Sequence, residues 1–538
     1  MSSPTKKGKK AKVARAEPLD LAWELAELPS SQHRAGLAGL VMMVDHLQRR
    51  PFAGVCQVSR RDAYGATLRV DADGMQSLFD DLYAASNEET LVKQPWKDKS
   101  KNIKPPKRET EIEVEVVNAR GKKTTKKERR YVYDVVVPSG AFLDLGASPG
   151  TSDPWLKLFR DFVWSILRGV PATRLPYQAR ADREPASDGR ETFETLASAL
   201  DRPVDLPSTY FLGAQACTAD LVRFSDRERY RLLLHFWPYA ARVYVPASLT
   251  VQGDREFQGF AIAVPDVSDL DEFTRAFSAS LRHRSNDMSG YRPRDAIIDV
   301  PAEAGVDLIA RVCIPLAETE RRGPAADLVI GVDVFHCEKQ GNNVRIRSVT
   351  RVKADPPKAR AYIRVRQAYW SPRFRARRIE NVLEGRPWWY GYAEVIARAP
   401  QAQTIGNDYF RRDVREAFKG YEVEMSDEQG KTIEELVYRT IGIYLSGRLK
   451  SRYGLEWSDV KTDQDKAMYN EKRGKLARDA FLAVRARTPA DFVTYFTSTL
   501  CSVPQRLKEE QYAFLARELT SNAEKVRTLT LLALSAQG

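Results

Sequence analysis

The sequence predicts an α+β protein: a mixed N-terminal α+β region with basic β-hairpins, followed by a C-terminal all-α helical bundle. Three observations predict it. Up to about residue 380, short stretches rich in β-branched and aromatic residues alternate with helical ones. From Met425 onward, apolar residues recur almost only at three- and four-residue steps. The 538 residues, 43% hydrophobic and 10% aromatic, supply ample core, and at ~100–200 residues per domain they make about three or four domains. The expected organisation is a disordered basic arm (1–16), an α+β domain with a basic finger (17–170), an irregular connection (171–210), a second α+β region (211–380), a linker (381–424) and a helical bundle (425–538).

Each element follows from its residues. Residues 1–16 hold six Lys or Arg, no acid and too few apolar groups to fold. The spacing at 19–28 predicts a short helix ended by Pro29, and Ser30-Ser31-Gln32-His33 opens a second one reaching about Gln48. Gly36 and Gly39 leave one face of that helix nearly bare, so another backbone can approach. Strands are predicted at 66–70, 111–117 and 131–137, the last two joined by the polar hairpin loop 118–127. A helix follows at 155–167. The stretch 171–210, rich in Pro, Asp and Arg, reads as irregular. Strands at 230–236, 241–245 and 260–264 precede a helix at 270–282, and 326–335 pairs with 344–352 around the turn Gln340-Gly341-Asn342-Asn343. Residues 362–365 extend that sheet. In the bundle, Ile433, Leu436, Val437, Thr440, Ile441, Tyr444, Leu445 and Leu449 share one helix face, and further helices are read at 464–487, 489–498, 505–519 and 522–536. Ser426 with Gln429, and Ser521 with Glu524, have capping-box spacing; Thr488-Pro489 places an N-cap before a first-turn proline.

Charge is concentrated. The chain has 85 Lys and Arg against 72 Asp and Glu, a net +13. Three strips (1–16, 93–130 and 345–378), 88 residues together, carry +25, and the remaining 450 residues carry −12. Clustered cations on an acidic body point to a polyanion partner, because each phosphate neutralised releases counterions. No apolar run approaches the ~18 residues that span a bilayer, and five scattered cysteines, odd in number, suggest no disulfide framework. Both features fit a reducing cytoplasm.

Catalytic spellings are weak. Gly146-Ala147-Ser148-Pro149-Gly150 resembles a nucleophile elbow, yet that device needs the N–H after the serine, which proline lacks. There is no phosphate-binding loop and no paired-histidine helix. His336-Cys337 sits on a strand whose adjacent residues face opposite ways. The expectation is therefore a binding protein without cofactor or metal, although carboxylates distant in sequence could still gather in space.

Two strips carry the binding chemistry. In the first, Lys122, Lys123, Lys126, Lys127, Arg129 and Arg130 line a hairpin suited to electrostatic capture of duplex backbone. In the second, Arg345, Arg347, Arg351, Lys353, Arg364, Arg366, Arg373, Arg375, Arg377 and Arg378 are interleaved with Tyr362, Tyr369, Trp370 and Phe374, a pattern suited to phosphates and unpaired bases. On strands, Arg345 with Arg347, and Arg364 with Arg366, would share faces. Asn102, Gln340, Asn342 and Asn343 are loop amides able to reach base edges.

Three stretches carry a resemblance. They are Leu25-Ala26-Glu27-Leu28-Pro29-Ser30-Ser31-Gln32-His33-Arg34-Ala35-Gly36-Leu37, then Ala477-Arg478-Asp479-Ala480-Phe481-Leu482 running on through Asp491-Phe492-Val493 to Cys501-Ser502-Val503-Pro504, and Thr528-Leu529-Thr530-Leu531-Leu532-Ala533-Leu534. In them the chain resembles the large subunit of the type I CRISPR interference complex (Cascade), specifically the Myxan-subtype signature protein. The resemblance implies a non-catalytic role. Such a subunit binds the 5′ end of the guide RNA and target double-stranded DNA, recognises the protospacer-adjacent motif, supports R-loop formation and holds the displaced strand. Its partners are the Cascade backbone and small subunits and a helicase-nuclease, or transposition proteins in a transposon-associated version. It also implies that the terminal bundle is similar to a small subunit. Met425 then becomes a candidate internal start for a 114-residue product, and expression of the intact gene with Met425→Leu should abolish a product of that size. The resemblance assigns no motif-reading residue. A stand-alone basic protein that binds RNA or single strands remains open beside it.

Overall fold

The computed structural model describes residues 17–98, 100–117, 123–139, 154–167, 174–206, 211–212, 224–250, 252–282, 285, 287–319, 328–340, 343–424, 432–503 and 507–538. The expected arm 1–16, the 146–150 turn, Ser426 with Gln429, and Met425 lie outside them.

Strand β1 (Leu19–Glu24) opens the chain where the spacing predicts a helix. Leu21 and Trp23 are buried and Asp20 and Ala22 exposed, a period-two pattern that β1 uses against its neighbour in the sheet β1-β3-β2, with β2 (Cys56–Arg61) and β3 (Gly65–Val70). Between them runs α1 (Ser31–Leu47), capped by Ser30. Helix α2 (Ala72–Leu82) leads to a sheet of β4 (Ala85–Val92), β5 (Arg108–Val117) and β6 (Lys123–Pro138), in the order β4-β6-β5. Helix α3 (Pro154–Ser165) follows. The stretch read as irregular holds α4 (Arg174–Ala181) and α5 (Asp188–Ser198); two of its acids, Asp188 and Glu191, fall in the first turn of α5, where they suit the helix dipole, while Phe193 and Leu196 are buried.

After the short pair β7 (Pro203–Asp205) and β8 (Ser225–Arg227) come α6 (Glu228–Leu233) and α7 (Trp237–Ala240), not the strand predicted at 230–236. Leu232, Leu233 and Leu234 are all buried, and a short run buried on every side has no periodicity to distinguish helix from strand. Next are β9 (Arg242–Leu249), β10 (Arg255–Phe257), β11 (Phe260–Val267), α8 (Leu270–Arg282), β12 (Met288–Ser289), β13 (Arg292–Pro293), β14 (Ile297–Ile298), α9 (Glu303–Thr319), β15 (Val329–Gln340) and β16 (Asn343–Lys353). The rest is helical: α10 (Pro356–Ala368), α11 (Pro372–Glu384), α12 (Tyr392–Arg398), α13 (Asp408–Glu424), α14 (Ile433–Tyr453), α15 (Asp463–Arg485), α16 (Pro489–Tyr495), α17 (Glu509–Ser521) and α18 (Ala523–Gln537). Residues 362–365 therefore extend no sheet, and α12 and α13 occupy the predicted linker.

The chain divides into two compact units. The first comprises Met1–Tyr244, Phe260–Ala296 and Thr319–Ala354. Its core is α1, buried along nearly its whole length and packed on β11, α6, α7 and α8. A Cβ on Gly36 or Gly39 would collide with the carbonyl oxygens of Leu233 and Phe236, so the bare face does receive a backbone. The start of α1 is polar but fully engaged: Ser31 Oγ donates to Asp333 at 2.6 Å, His33 Nε2 lies 2.7 Å from Asp226, and Arg34 pairs with Asp266 at 2.6 Å. Strand β11 pairs antiparallel with β15, and β15 with β16 at the edge.

The second unit comprises Val245–Gly259, Ile297–Glu318 and Asp355–Gly538. Its C-terminal part is built around α18, buried on all sides by α12 to α17. This explains the unbroken run Thr528 to Ala536: a central helix has no polar face. Thr488 caps α16 with Pro489 in its first turn. Ser521, by contrast, ends α17; Asn522 takes the cap position of α18 without a side-chain bond to that helix, its amide donating back to Glu518 of α17 instead.

Candidate nucleic-acid interface

On the lysine hairpin, β6 lies between β4 and β5; its cations, from Lys123 to Arg130, run opposite β5, where every second residue from Glu109 to Glu115 is an acid, while β4 runs opposite 131–138. Register places Arg129 opposite Glu111 and Lys127 opposite Glu113. Arg129 pairs with Glu109 at 3.4 Å and Arg130 with Glu128 at 2.7 Å. Lys107 reaches both Glu89 and Asp134, at 3.1 and 3.0 Å. Lys127 is exposed and has no ion pair among the described residues. Lys122 and the side chains of Lys123 and Lys126 lie outside the description. Trp96 stacks on Tyr133, ring centres 4.5 Å apart, beneath a tight turn in which the Asp98 carboxylate accepts the Asn102 N–H at 2.8 Å. The Asn102 side chain is exposed.

The arginine strip splits at its middle. On edge strand β16, Arg345 stands across from Glu338, but that carboxylate accepts from Arg347 Nε at 2.6 Å. Arg345 and Lys353 are exposed without an ion pair among the described residues. Arg351 is structural: it bonds to Asp333 at 3.1 Å and to Asp266, the same buried carboxylate that Arg34 holds. Gln340 is exposed at the end of β15, paired in register with Asn343, whose side chain, like Asn342, lies outside the description.

The helical half corrects the strand reading. Arg364 and Arg366 are two apart on α10, about 200° around the helix, and so do not share a face. Arg364 is exposed without an ion pair among the described residues, whereas Arg366 reaches Glu303 at 3.0 Å. Burial pushes the Glu303 carboxyl up to about 7 despite that guanidinium. Tyr362, predicted as an interleaved aromatic, is buried and donates to Glu303 and Asp307. Arg375 grips both oxygens of Asp299, Arg377 pairs with Glu380 at 2.9 Å and Arg373 donates to Gln403. Phe374 is fully buried. Most of this half therefore serves packing.

One exposed arrangement remains. Trp370 stands on the three-residue link between α10 and α11, 56% exposed, stacked on Tyr409 of α13, also 56% exposed, with ring centres 6.1 Å apart and planes at 24°. Arg412, one turn along α13 from Tyr409, lies 4.4 Å from the Trp370 ring centre. Buried Asp413 fixes the link by accepting the N–H groups of Trp370 and Ser371 at 2.8 and 2.6 Å. Burial raises its carboxyl to about 6. Tyr409, Arg412 and Asp413 escape sequence reading because they lie in the supposed linker, 39 or more residues from Trp370. An i, i+3, i+4 pattern on a predicted helix is the signal that would have found them.

Exposed cations, an aromatic stacking surface and a helical terminal bundle together suit a subunit of a nucleic-acid assembly. A family model described as type I-B CRISPR Cas8b N-terminal domain matches residues 55–322, and one described as type I-B CRISPR Cas8b C-terminal domain matches residues 329–537. The class is thus the large subunit of a type I CRISPR complex. Within it, the chain belongs to the type I-B Cas8b family. No curated protein matches it. Among the described residues, no helix is long and apolar enough to cross a membrane.

Proposed function

We propose that this chain is a non-catalytic, Myxan-subtype large subunit of an RNA-guided surveillance complex. In this reading it binds the 5′ end of the guide RNA and the target DNA, recognises the adjacent motif, supports R-loop formation and recruits an effector nuclease. The observation that carries strand holding is the Trp370–Tyr409 stack with Arg412. A flat aromatic surface held by a buried carboxylate and edged by a guanidinium is what an unpaired base needs, whatever its identity. Motif reading by exposed amides such as Asn102 in its turn and Gln340 at the end of β15, and duplex capture by Lys127 and its neighbours, complete the division of labour in which base pairing reads the long sequence.

The test uses the assembled complex on target DNA. Trp370→Ala with Tyr409→Ala should release target about tenfold faster, each base stack removed being worth ~1–3 kcal/mol, and should lower permanganate reactivity of the displaced strand as the duplex recloses. Unchanged lifetime and reactivity would remove this surface from strand holding. Magnesium-dependent cleavage of DNA by the purified chain would overturn the non-catalytic assignment.

A further inference from the structure

A hollow of about 370 Å³ opens between α10, α11 and α13. It exists because four small residues leave space: Ala361 and Ala368 on α10, and Ala417 and Gly420 on α13. Tyr369 and Trp388 give it aromatic walls. Trp388 is held by Asn381, whose amide donates to the carbonyls of Trp388 and Tyr390, both at 3.0 Å.

Charge in this hollow has one sign. Arg364, Arg378 and Arg386 line it, and no carboxylate does. Arg386 is committed to Glu384 at 2.8 Å. Arg364 and Arg378 have no ion pair among the described residues, and the Arg378 guanidinium lies 5.9 Å from the Tyr369 ring centre. A second, independent observation concerns hydrogen bonding: Arg378 Nε and Trp388 Nε1 are both buried without an acceptor among the described residues. Buried donors normally have partners, so two orphans lining one cationic hollow call for a ligand rich in acceptor oxygens.

The opposite flank of α11 shows the contrast. A smaller hollow of about 280 Å³, lined by Arg373 and Arg377, also contains Asp299 and Glu380. There carboxylates share the lining: Glu380 pairs with Arg377 and Asp299 with Arg375, although Arg373 Nε and Arg377 Nε are likewise buried without an acceptor among the described residues.

We propose that the larger hollow receives one unpaired nucleotide, its base against Tyr369 and Trp388 and its phosphate between Arg364 and Arg378. The volume lies within the ~300–1,000 Å³ of small-ligand sites, and two guanidiniums beside aromatic rings match a flat base joined to a phosphate. The inference rests on the reading of the chain as a nucleic-acid binder and deepens it.

The probe is 2-aminopurine, whose fluorescence falls on stacking, placed within a seven-nucleotide single strand and, separately, as the free 5′-monophosphate, each titrated with the full chain. Two variants separate charge from space. Arg364→Glu reverses an exposed cation. Gly420→Leu fills the hollow at a position where an added Cβ meets nothing within 4 Å, and it favours the helix. Both should weaken quenching about tenfold. Arg364→Glu should also lower the slope of log affinity against log salt by about one, while Gly420→Leu should leave it unchanged. Quenching of the strand alone assigns the site to a nucleotide within a chain; quenching of the monophosphate as well assigns it to a soluble nucleotide too. If the wild type binds the strand and Gly420→Leu binds it equally well, the pocket is refuted while the nucleic-acid reading stands. If the wild type binds neither probe, both fall.

Discussion

The stretch 345–378 is one run of arginines in the sequence and two different regions in the structure. On β16, Arg345 and Lys353 project into solvent with their charges unanswered among the described residues. On α10 and α11, Arg366 and Arg375 face Glu303 and Asp299, whose side chains are 0% and 4% exposed. Equal charge density has thus produced a surface in one place and a core polar network in the other. A cation's availability to phosphate depends on whether its counterion has already been buried beside it, and that counterion lies about 60 to 80 residues away in the chain. The +25 carried by three strips is accordingly an upper bound on what a nucleic acid would meet.

The largest expected effect tests the helical side of this contrast. Arg375→Ala would leave the Asp299 carboxylate buried and unpaired, and breaking such a pair by removing one partner costs ~3–5 kcal/mol. Urea unfolding should show a loss of that order. A loss below about 1 kcal/mol would mean that Arg375 is as free as Arg345, and the contrast would collapse.

The strand side predicts a smaller change of a different kind. Arg345→Ala with Lys353→Ala should leave the unfolding midpoint in place, since exposed charges contribute little to stability. Binding to duplex DNA should weaken at every sequence, and the salt slope should fall by ~0.9 for each phosphate no longer neutralised, about two in all. An unchanged slope would show that exposure alone does not recruit phosphate on β16.

Much of the fold was legible because its signals were local. The hairpin β5–β6, the strand pair β15–β16, helix α8 and the terminal helices follow from periodicity and turn chemistry, and Thr488 was readable as a cap. The errors share a cause. At 19–24 and 228–233, a short apolar stretch suits both helix and strand, and only its packing partner decides. At 362–365, β-branched and aromatic residues suggested a strand, but Asp355 and Pro356 start a helix whose buried Tyr362 and Val365 lie three apart. For the candidate site, sequence identified which cations exist and could not say which are paired. It named Trp370 and missed Tyr409, Arg412 and Asp413, because the stack is made across two helices.

The smallest expected effect concerns the carboxylate behind that stack. Asp413 is buried, receives two backbone N–H groups and has its other oxygen without a partner among the described residues. Burial, partly offset by those hydrogen bonds, raises its carboxyl from 3.8 to about 6. In the unfolded chain it returns to the ordinary value, so between pH 4 and 6 the folded protein holds a proton that the unfolded one releases. The sign follows from linkage: this group's contribution favours folding fully below about 3.8 and is lost as pH rises through about 6. Asp413→Asn keeps an oxygen for the two N–H groups but cannot titrate. Wild type should therefore gain stability relative to the variant as pH falls from 7 to 4, with a constant difference above 7, measured by urea unfolding across that range. Parallel curves would mean that Asp413 stays ionised at acid pH and is less buried than its two hydrogen bonds imply. The link carrying Trp370 would then be a solvated loop, and the aromatic surface would lose the rigidity that distinguishes it from the exposed cations of β16.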